Sequence, residues 1–235
     1  MIKDRRFAIV FRSAAFLITL FGLLMHMGIL DGSFTLSPLA YYTIQSNILA
    51  LFLFGLLLVK TILCYRQDGT YGKTGFFPRF EMICAVDLLL TFFVYWLLLA
   101  PGAFSMGGDY SLFSFDNLSV HLFTPLLCFA DYILFAEPHH LKYRDIYGIL
   151  IFPLGYVAAT SAAGFMGYVF RISEDGQPVH FPYFFYDYYQ VGATAFLYIA
   201  ALVVFFVGLA HLLYLLDRKW NKPVLIPRQK SYKVN

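Results

Sequence analysis

The stretch VGATAFLYIAALVVFFVGLAHLLYLL, at positions 191–216, determines the fold class of this 235-residue chain. It contains no Asp, Glu, Lys or Arg, and His211 is its only histidine. About 20 mostly apolar residues in a helix are enough to cross a bilayer, so this stretch can span one. Lipid offers no partners for backbone N–H and C=O groups. Because the stretch has no alternating barrel pattern, it must be helical.

Five further stretches share this pattern and predict five more spans. They lie at 7–30, 39–63, 80–100, 118–135 and 146–169. The first follows Lys3, Arg5 and Arg6, as a signal peptide would, but its apolar run is too long and no cleavage site follows it. We expect it to be a retained helix. The sequence thus predicts an all-α polytopic membrane protein, with a bundle of six transmembrane helices at 1–217 and a basic tail at 218–235.

The composition agrees with a lipid-facing surface. Sixty per cent of the residues are hydrophobic and 13% are charged, whereas a soluble domain has about 25% charged residues. Such a chain is not a nucleic-acid-binding protein, a disordered regulator, a secreted disulfide scaffold or a soluble enzyme. Cys64, Cys84 and Cys128 are an odd number of cysteines, and we expect them to be reduced thiols.

The basic residues predict the orientation. If the N-terminus is cytoplasmic, every one of the 17 Lys and Arg residues except Arg171 falls on the cytoplasmic side. By the positive-inside rule both termini, including the tail at 218–235, are then cytoplasmic. The predicted location is the cell membrane, plasma or inner, with multiple passes.

The longest outer segment, at 170–190, is rich in aromatic residues. Its rings are those of Phe181, Tyr183, Phe184, Phe185, Tyr186, Tyr188 and Tyr189. Aromatic rings at the membrane surface commonly form an interfacial belt, which is the interpretation that we favour from sequence. The alternative is that they roof a cavity.

Polar residues inside the spans need a reason, because lipid solvates them poorly. Thr43 lies roughly 7 Å below the outer end of the second span, and His121 roughly 6 Å below that of the fourth. A hydroxyl and an imidazole at one depth are the minimum for a nucleophile and its base. The alternative is that Thr43 bonds the carbonyl one turn back and His121 is a satisfied core residue.

Two carboxylic acids lie deeper, Asp87 in the third span and Asp131 in the fourth. Both could be protonated, or could pair with Arg12 or Lys60 near the same side. A proton pathway is conceivable, but no chain of acids continues across the bilayer. We favour contacts between packed helices for both residues.

Prolines and glycines predict local irregularity. Pro125 and Pro153 sit inside spans and are expected to kink them and open space between helices. Gly155, Gly164 and Gly167 offer surfaces for close packing in the fifth span. The adjacent pair at 139–140, His139 and His140, lacks ligand spacing, so no metal site is expected.

Four sequence runs together resemble a known family. They are YTIQSN at 42–47, HLFTP at 121–125, ADYILF at 130–135, and FPYFFYD at 181–187 followed by Gly192. The chain resembles, over nearly its whole length, the bacterial "Pr-six-Pr" family of six-span integral membrane proteins. That family in turn resembles the eukaryotic androgen-induced and androgen-dependent membrane proteins.

The resemblance implies an activity and its residues. The eukaryotic relatives are membrane threonine hydrolases that split fatty acid esters of hydroxy fatty acids, with a Thr in the second span and a His in the fourth. The matching positions here are Thr43 and His121, and the acidic residue ten places after the His matches Asp131. The sequence departs from the relatives in a His121–Pro125 spacing of four rather than five, and in a more tyrosine-rich outer loop.

These observations give the hypothesis of an intramembrane lipid-ester hydrolase of the threonine type. Asn47 would be the preferred oxyanion or substrate-binding donor because it shares a helix face with Thr43. Gln45 and Ser46 are further candidates for this role. Asp116 or Asn117 would orient the His121 ring, unless they only cap the helix.

The remaining expectations concern partners and alternatives. Asp131, Asp187 and Asp116 are the expected supporting polar residues. Membrane lipids or a fatty acyl ester are the expected partners, with no nucleic acid, no metal and no cofactor. The alternatives are a non-catalytic lipid-binding or transport protein, and a structural membrane subunit in which the polar residues serve only packing.

Overall fold

The computed structural model describes residues 1–101, 111–137, 141–173 and 175–220. The pair His139 and His140, the loop around 107–109 and the tail from 221 lie outside these ranges. Six described helices are long and apolar enough to cross a membrane, and we number them spans 1 to 6. Their bounds are Arg5–His26, Tyr42–Asp68, Pro78–Leu99, Phe115–Phe135, Tyr143–Phe165 and Thr194–Arg218.

The six helices confirm the predicted fold class, an all-α bundle of a multi-pass membrane protein. The paired strands in the described ranges form one short antiparallel hairpin, in which β1, Arg171–Ile172, pairs with β2, Pro178–Val179. This hairpin belongs to the connection between spans 5 and 6. It carries the chain into the aromatic segment at 181–189.

Span boundaries differ from the prediction where local capping overrides the apolar pattern. Span 5 ends at Phe165 instead of 169, because Gly167 takes a left-handed φ of +89° just beyond it. Span 6 begins at Thr194 instead of 191, because Asp187 caps a separate short helix that ends at Gly192 with φ +56°. Apolar residues continue through both breaks, so hydrophobicity alone cannot locate them.

The two ends of the bundle differ in composition, and we name them accordingly. At the basic end, Arg5 at the start of span 1 donates to the carbonyl of Cys64 near the end of span 2 at 3.1 Å. At the same end Arg79 of span 3 pairs with Asp145 of span 5 at 2.9 Å. The opposite, aromatic end carries residues 181–189. That the basic end faces the cytoplasm stays a prediction.

A buried ion pair ties three spans together in the half nearer the basic end. Arg12 of span 1 is fully buried, and its guanidinium donates to both carboxylate oxygens of Asp131 in span 4, at 2.8 and 2.9 Å. It also donates to the Thr61 hydroxyl of span 2 at 2.6 Å and to the Thr74 carbonyl at 2.8 Å. Lys60, the other candidate partner, is exposed. Asp131 therefore has a packing role, as favoured from sequence.

The second buried acid belongs to a different contact. Asp87 of span 3 accepts a hydrogen bond from the Tyr42 hydroxyl at 3.1 Å, and its other carboxyl oxygen has no hydrogen-bond partner in the described residues. Tyr42 is the first residue of span 2 and lies toward the aromatic end. Asp87 and Asp131 thus belong to separate networks, and the described contacts do not link them into a path.

Packing is uneven around the bundle. In the apolar stretches of spans 3 and 4, 56% and 50% of residues are buried, against 22% and 17% in spans 5 and 6. Because the outer surface of a membrane bundle meets lipid, spans 3 and 4 form its centre while spans 5 and 6 are solvated mostly by lipid. A cavity lies where spans 5 and 6 meet spans 2 and 3.

Both prolines lie next to irregular helix segments. In span 4, Pro125 comes two positions after the end of the π-helical segment Ser119–Phe123. In span 5, Pro153 comes shortly after the 3₁₀ segment Tyr143–Leu150. A proline removes a backbone N–H and crowds the preceding turn, so irregular hydrogen bonding there is expected.

The glycines of span 5 divide into close-packed and open positions. A Cβ on Gly164 would collide with the carbonyl of His180 and the ring of Phe181. A Cβ on Gly155 would meet nothing within 4 Å. The predicted close packing therefore holds at Gly164, where the helix touches the aromatic segment, and fails at Gly155. At Gly167 the space is also open, and its requirement is the left-handed φ.

Candidate active site

The two side chains that the sequence placed at one depth are in contact. The Thr43 hydroxyl oxygen lies 3.4 Å from Nε2 of His121, and both residues are buried, with 9% and 7% of their surface exposed. This distance is slightly longer than the 2.6–3.2 Å of a productive nucleophile–base hydrogen bond, as is common without substrate. The contact joins the first turn of span 2 to the π-helical part of span 4.

The hydrogen bond made by the second ring nitrogen of His121 determines which of the two ring nitrogens carries the proton. Nδ1 lies 3.2 Å from the backbone carbonyl of Asn117, one turn earlier. A carbonyl oxygen can only accept, so Nδ1 carries the hydrogen and Nε2 presents its lone pair. Nε2 is the nitrogen that faces Thr43, and the imidazole is thus held in the tautomer that a base requires.

A stacked aromatic ring also holds the His121 imidazole in place. Tyr95 of span 3 stacks on His121, with ring centroids 3.6 Å apart and planes inclined by 27°. The Asn117 side chain donates to the Tyr95 hydroxyl at 2.6 Å. Asn117 therefore orients the imidazole through its carbonyl and through the stacked tyrosine. Asp116, the other candidate for this role, instead faces Nδ1 of His26 at 3.8 Å.

Two π-helical segments place these rings against one another. Tyr95–Leu99 ends span 3, and Ser119–Phe123 contains His121. A π-turn inserts an extra residue into a helix and re-aims the side chains around it, and such turns are frequent at functional sites. Their presence in both helices, at this contact, explains how a tyrosine and a histidine come to stack face to face.

The proline of span 4 leaves a backbone carbonyl without its usual helical donor, and a tryptophan side chain bonds it. Pro125 has no N–H to offer the carbonyl of His121 four residues earlier. Nε1 of Trp96, in the π segment of span 3, donates to that carbonyl oxygen at 3.1 Å. The His121 backbone is thereby tied to span 3, as its ring is tied by Tyr95.

The predicted oxyanion donors have other hydrogen bonds. Asn47 Nδ2 donates to the Thr43 carbonyl at 2.8 Å and to the Val120 carbonyl at 3.0 Å, which uses both amide hydrogens. The Ser46 hydroxyl contacts the Thr43 carbonyl at 2.9 Å and the Thr91 hydroxyl at 3.1 Å. These bonds fasten Thr43 to spans 3 and 4. For Asn47 to serve as an oxyanion donor, one of its two carbonyl bonds would have to break.

Three other predicted residues lie away from the pair. Gln45 donates to the Leu39 carbonyl at 2.8 Å, outside the pair. Asp187 accepts from the backbone N–H groups of Tyr189 and Gln190 at 3.1 and 3.3 Å and acts as a helix cap. Asp131 is bonded to Arg12, as described above. They support the fold around the pair and do not contact it.

Tyr183 was not among the predicted site residues, yet it reaches the pair. Its hydroxyl lies near the Thr43 side chain and the backbone of Tyr42 and Thr43, at the start of span 2, without a hydrogen bond of normal geometry to them. N–H groups in the first turn of a helix have no partner within the helix. Burial raises the pKa of Tyr183 to about 12, so this hydroxyl keeps its proton at physiological pH. The tyrosine-rich outer loop was the only sequence signal that pointed to it.

The aromatic segment covers a cavity. Tyr183, Phe185 and Tyr186 line it, and the last two are buried, so for these three rings the favoured belt interpretation is wrong and the roof is correct. Phe184 and Tyr189 remain exposed. The roof forms because the β-hairpin turns the chain back over the spans before Asp187 begins the next helix.

The cavity lies between spans 2, 3, 5 and 6 and has apolar walls. Thr43 lies in its wall, and its floor is formed by Leu150 and Phe206. The empty space is about 730 Å³, counting the part that opens outward. His121 is not among the residues that line the cavity. Within the described ranges no three His, Cys, Asp or Glu side chains are grouped closely enough to bind a metal ion.

Comparison with known proteins gives no relative. No protein-family model, no curated protein and no solved structure matches the chain. The resemblance to the six-span hydrolase relatives therefore stays a prediction.

Proposed function

We propose that this membrane protein is an intramembrane lipid-ester hydrolase in which Thr43 is the nucleophile and His121 is the base. One observation carries the proposal: the unprotonated Nε2 of His121 faces the Thr43 hydroxyl at 3.4 Å, at the wall of an apolar cavity. The resemblance of the runs around Thr43 and His121 to the membrane threonine hydrolases points to the same pair.

The reaction follows from the two side chains. As the Thr43 oxygen attacks the ester carbonyl carbon, Nε2 of His121 takes its proton. The tetrahedral intermediate collapses, the bond to the alcohol oxygen breaks, and His121 protonates the leaving alcohol. Water then attacks the acyl-Thr43 ester with His121 again as the base, which releases the fatty acid and returns the proton to Thr43.

Tyr183 is the proposed donor to the oxyanion. Its hydroxyl lies beside Thr43, next to the N–H groups that begin span 2. A neutral phenol and first-turn amides are hydrogen-bond donors near the positive end of a helix dipole, which stabilises developing negative charge. In this arrangement Asn47 holds the Thr43 backbone in place, and Tyr183 is the oxyanion donor in place of Asn47.

The second candidate is a non-catalytic lipid-binding or transport protein. The apolar cavity favours it, because such walls hold an acyl chain whether or not chemistry follows. Under this alternative the hydroxyls of Thr43 and Tyr183 would bind the polar end of a lipid. Only turnover separates the two candidates.

The experiment is an ester-hydrolysis screen on the full chain in lipid nanodiscs, using p-nitrophenyl esters of increasing acyl length. Thr43→Ala and His121→Ala should each lower turnover by about 100-fold or more, the usual contribution of such groups. Thr43→Ser keeps a hydroxyl and should retain part of the activity. Thr35→Ala is the matched control, because this threonine is exposed, precedes span 2 and does not line the cavity.

Unchanged turnover in either alanine variant would rule out the pair. A wild-type protein that binds acyl lipids but hydrolyses none of the esters would favour the lipid-binding alternative. Unfolding curves of all variants must match that of the wild type for either conclusion to hold.

A further inference from the structure

Spans 5 and 6 are joined at the basic end and separate toward the aromatic end. Near the basic end the Tyr143 hydroxyl lies 3.1 Å from Nε2 of His211, and Tyr143 also packs edge-on against Tyr214. Close backbone approaches to span 6 come from the 3₁₀ segment Tyr143–Leu150, whereas the α-helical part of span 5, Ile151–Phe165, makes few or none. Both helices are fully described along this stretch, so their backbones lie farther apart there and leave a gap that residues of both spans line.

The gap leads into the cavity. Its sides are apolar residues of both spans that line the cavity, and we call these six residues the portal: Pro153, Leu154, Val157, Ile199, Leu202 and Val203. Their chain neighbours Ile151 and Val204 point outward, with 77% and 73% of their surface exposed. The cavity thus lies on the inner side of the portal, and the surroundings of a membrane span, lipid hydrocarbon, lie on the outer side.

The chemistry of the walls selects the occupant. The cavity lining contains no charged residue, and its polar groups are hydroxyls, among them those of Thr43 and Tyr183 near the aromatic end. On span 6 the cavity lining runs from Ile199 to Phe206, which is seven residues, or about 10 Å of helix. A cavity of this depth, apolar along its length and polar at one end, fits the part of one acyl chain that adjoins an uncharged polar group at the hydroxyls.

We infer that an acyl chain of a membrane lipid enters the cavity sideways from the bilayer, through the portal between spans 5 and 6. The polar group next to that chain then comes to rest beside Thr43 and Tyr183. The position of a scissile ester there rests on the proposed function, whereas binding of the acyl chain through the portal does not.

The test blocks the portal and measures lipid binding without chemistry. The probe is the non-hydrolysable ether analogue of monopalmitoylglycerol, and native mass spectrometry of the detergent-solubilised full chain counts bound molecules. The wild type should bind a single equivalent. Val203→Trp and Leu154→Trp fill the portal and should weaken binding by about tenfold or more, which corresponds to an overpacking cost in the usual range.

Matched controls place the same indole one residue or one turn away, on the lipid side. Val204→Trp and Ile151→Trp should bind the probe as the wild type does, because both positions face outward. Wild-type binding by both portal variants would overturn the inference. Equal weakening by Val204→Trp would overturn it as well, since the effect would then not depend on the portal.

A second readout uses chain length. If the wild type hydrolyses p-nitrophenyl esters, Val203→Trp should lose the palmitate ester and keep the acetate ester, which is small enough to reach Thr43 without filling the cavity. Equal loss of both esters would count against the portal. Binding of the ether probe that is sensitive to Val203→Trp, in a protein that hydrolyses nothing, would support the portal and refute the proposed hydrolase.

Discussion

The two halves of this bundle use buried polar residues in opposite ways. Near the basic end the guanidinium of Arg12 bonds Asp131, Thr61 and Thr74, and each of these contacts joins chain segments that are distant in sequence. Toward the aromatic end the hydroxyls of Thr43 and Tyr183 lie against an empty space. The first arrangement fastens helices together. The second leaves polar atoms where a ligand can reach them.

The difference between the two halves shows how a membrane protein can keep an imidazole beside a hydroxyl within the bilayer. Ionisable groups are costly in a bilayer, so a buried network is expected where it is fully paired. The imidazole of His121 meets this condition through Asn117, Tyr95 and Thr43 while keeping one nitrogen directed at a hydroxyl. A rigid half and an open half in one bundle are therefore complementary, and substitutions in the two should have different consequences.

The largest expected effect comes from breaking the rigid half. Arg12→Ala would leave the Asp131 carboxylate buried without its partner and should destabilise the protein by about 3–5 kcal/mol. Thermal unfolding can be followed with a thiol-reactive dye, because the free thiols of Cys84 and Cys128 are buried in the folded state. Arg6→Ala, at an exposed arginine of the same helix, is the control.

A double substitution sharpens this prediction. Arg12→Met combined with Asp131→Leu removes both charges and should recover much of the stability lost in Arg12→Ala, since an apolar pair replaces an unpaired charge. An Arg12→Ala protein that unfolds at the wild-type temperature would show that the basic half does not depend on this ion pair.

The next effect concerns the open half and leaves stability nearly unchanged. Tyr183→Phe removes only a hydroxyl and should lower kcat for a lipid ester by about 100-fold, the typical effect of losing one oxyanion donor. Because burial raises the pKa of Tyr183 to about 12, the wild-type hydroxyl stays protonated below that pH. Wild-type activity should therefore show no decline from tyrosine ionisation near pH 10, where an ordinary tyrosine titrates.

The control for Tyr183→Phe is a tyrosine outside the cavity. Tyr189→Phe changes an exposed ring of the same aromatic segment and should leave kcat unaltered. If Tyr183→Phe and Tyr189→Phe behave alike, Tyr183 has no part in the reaction. If the activity of the wild type falls near pH 10 and the activity of Tyr183→Phe falls there too, the titrating group is not Tyr183.

The smallest of these effects compares two glycines of span 5. Gly164→Ala would push a methyl group into the His180 carbonyl and the Phe181 ring, at the junction of span 5 and the roof, and should cost about 1–3 kcal/mol. Gly155→Ala adds its methyl group to open space and should be neutral or slightly stabilising, since alanine favours helix. The unfolding midpoints of the two variants measure this difference in stability. Equal midpoints would mean that the roof is not packed against Gly164.

The sequence predicts the spans and the common depth of the pair because both depend on local rules. Apolar runs set the number of helices, and the helix rise of 1.5 Å per residue places Thr43 and His121 at one level. The sequence offers Asp131 two basic partners by position, Arg12 and Lys60, and the structure shows the contact with Arg12. The resemblance added a reason to single out Thr43 and His121 among the polar residues of the spans.

The rest depends on contacts that no local pattern encodes. The clamp on His121 arises from two π-helical segments, which have no recognisable sequence signature, although Pro125 marks where one of them ends. Tyr183 reaches Thr43 only because the hairpin folds the outer segment over the cavity. The helix face of Asn47 predicts an oxyanion donor, but its amide donates to the carbonyls of Thr43 and Val120, and the face alone cannot reveal these partners.

The most direct test is to trap the covalent intermediate. The full chain in nanodiscs is mixed briefly with p-nitrophenyl palmitate and quenched in acid, and peptide mass spectrometry locates the added acyl group. The account predicts a palmitoyl ester on Thr43, absent from Thr43→Ala and formed at least about 100-fold more slowly in His121→Ala. An acyl group on another residue, or its formation at an undiminished rate without His121, would contradict it.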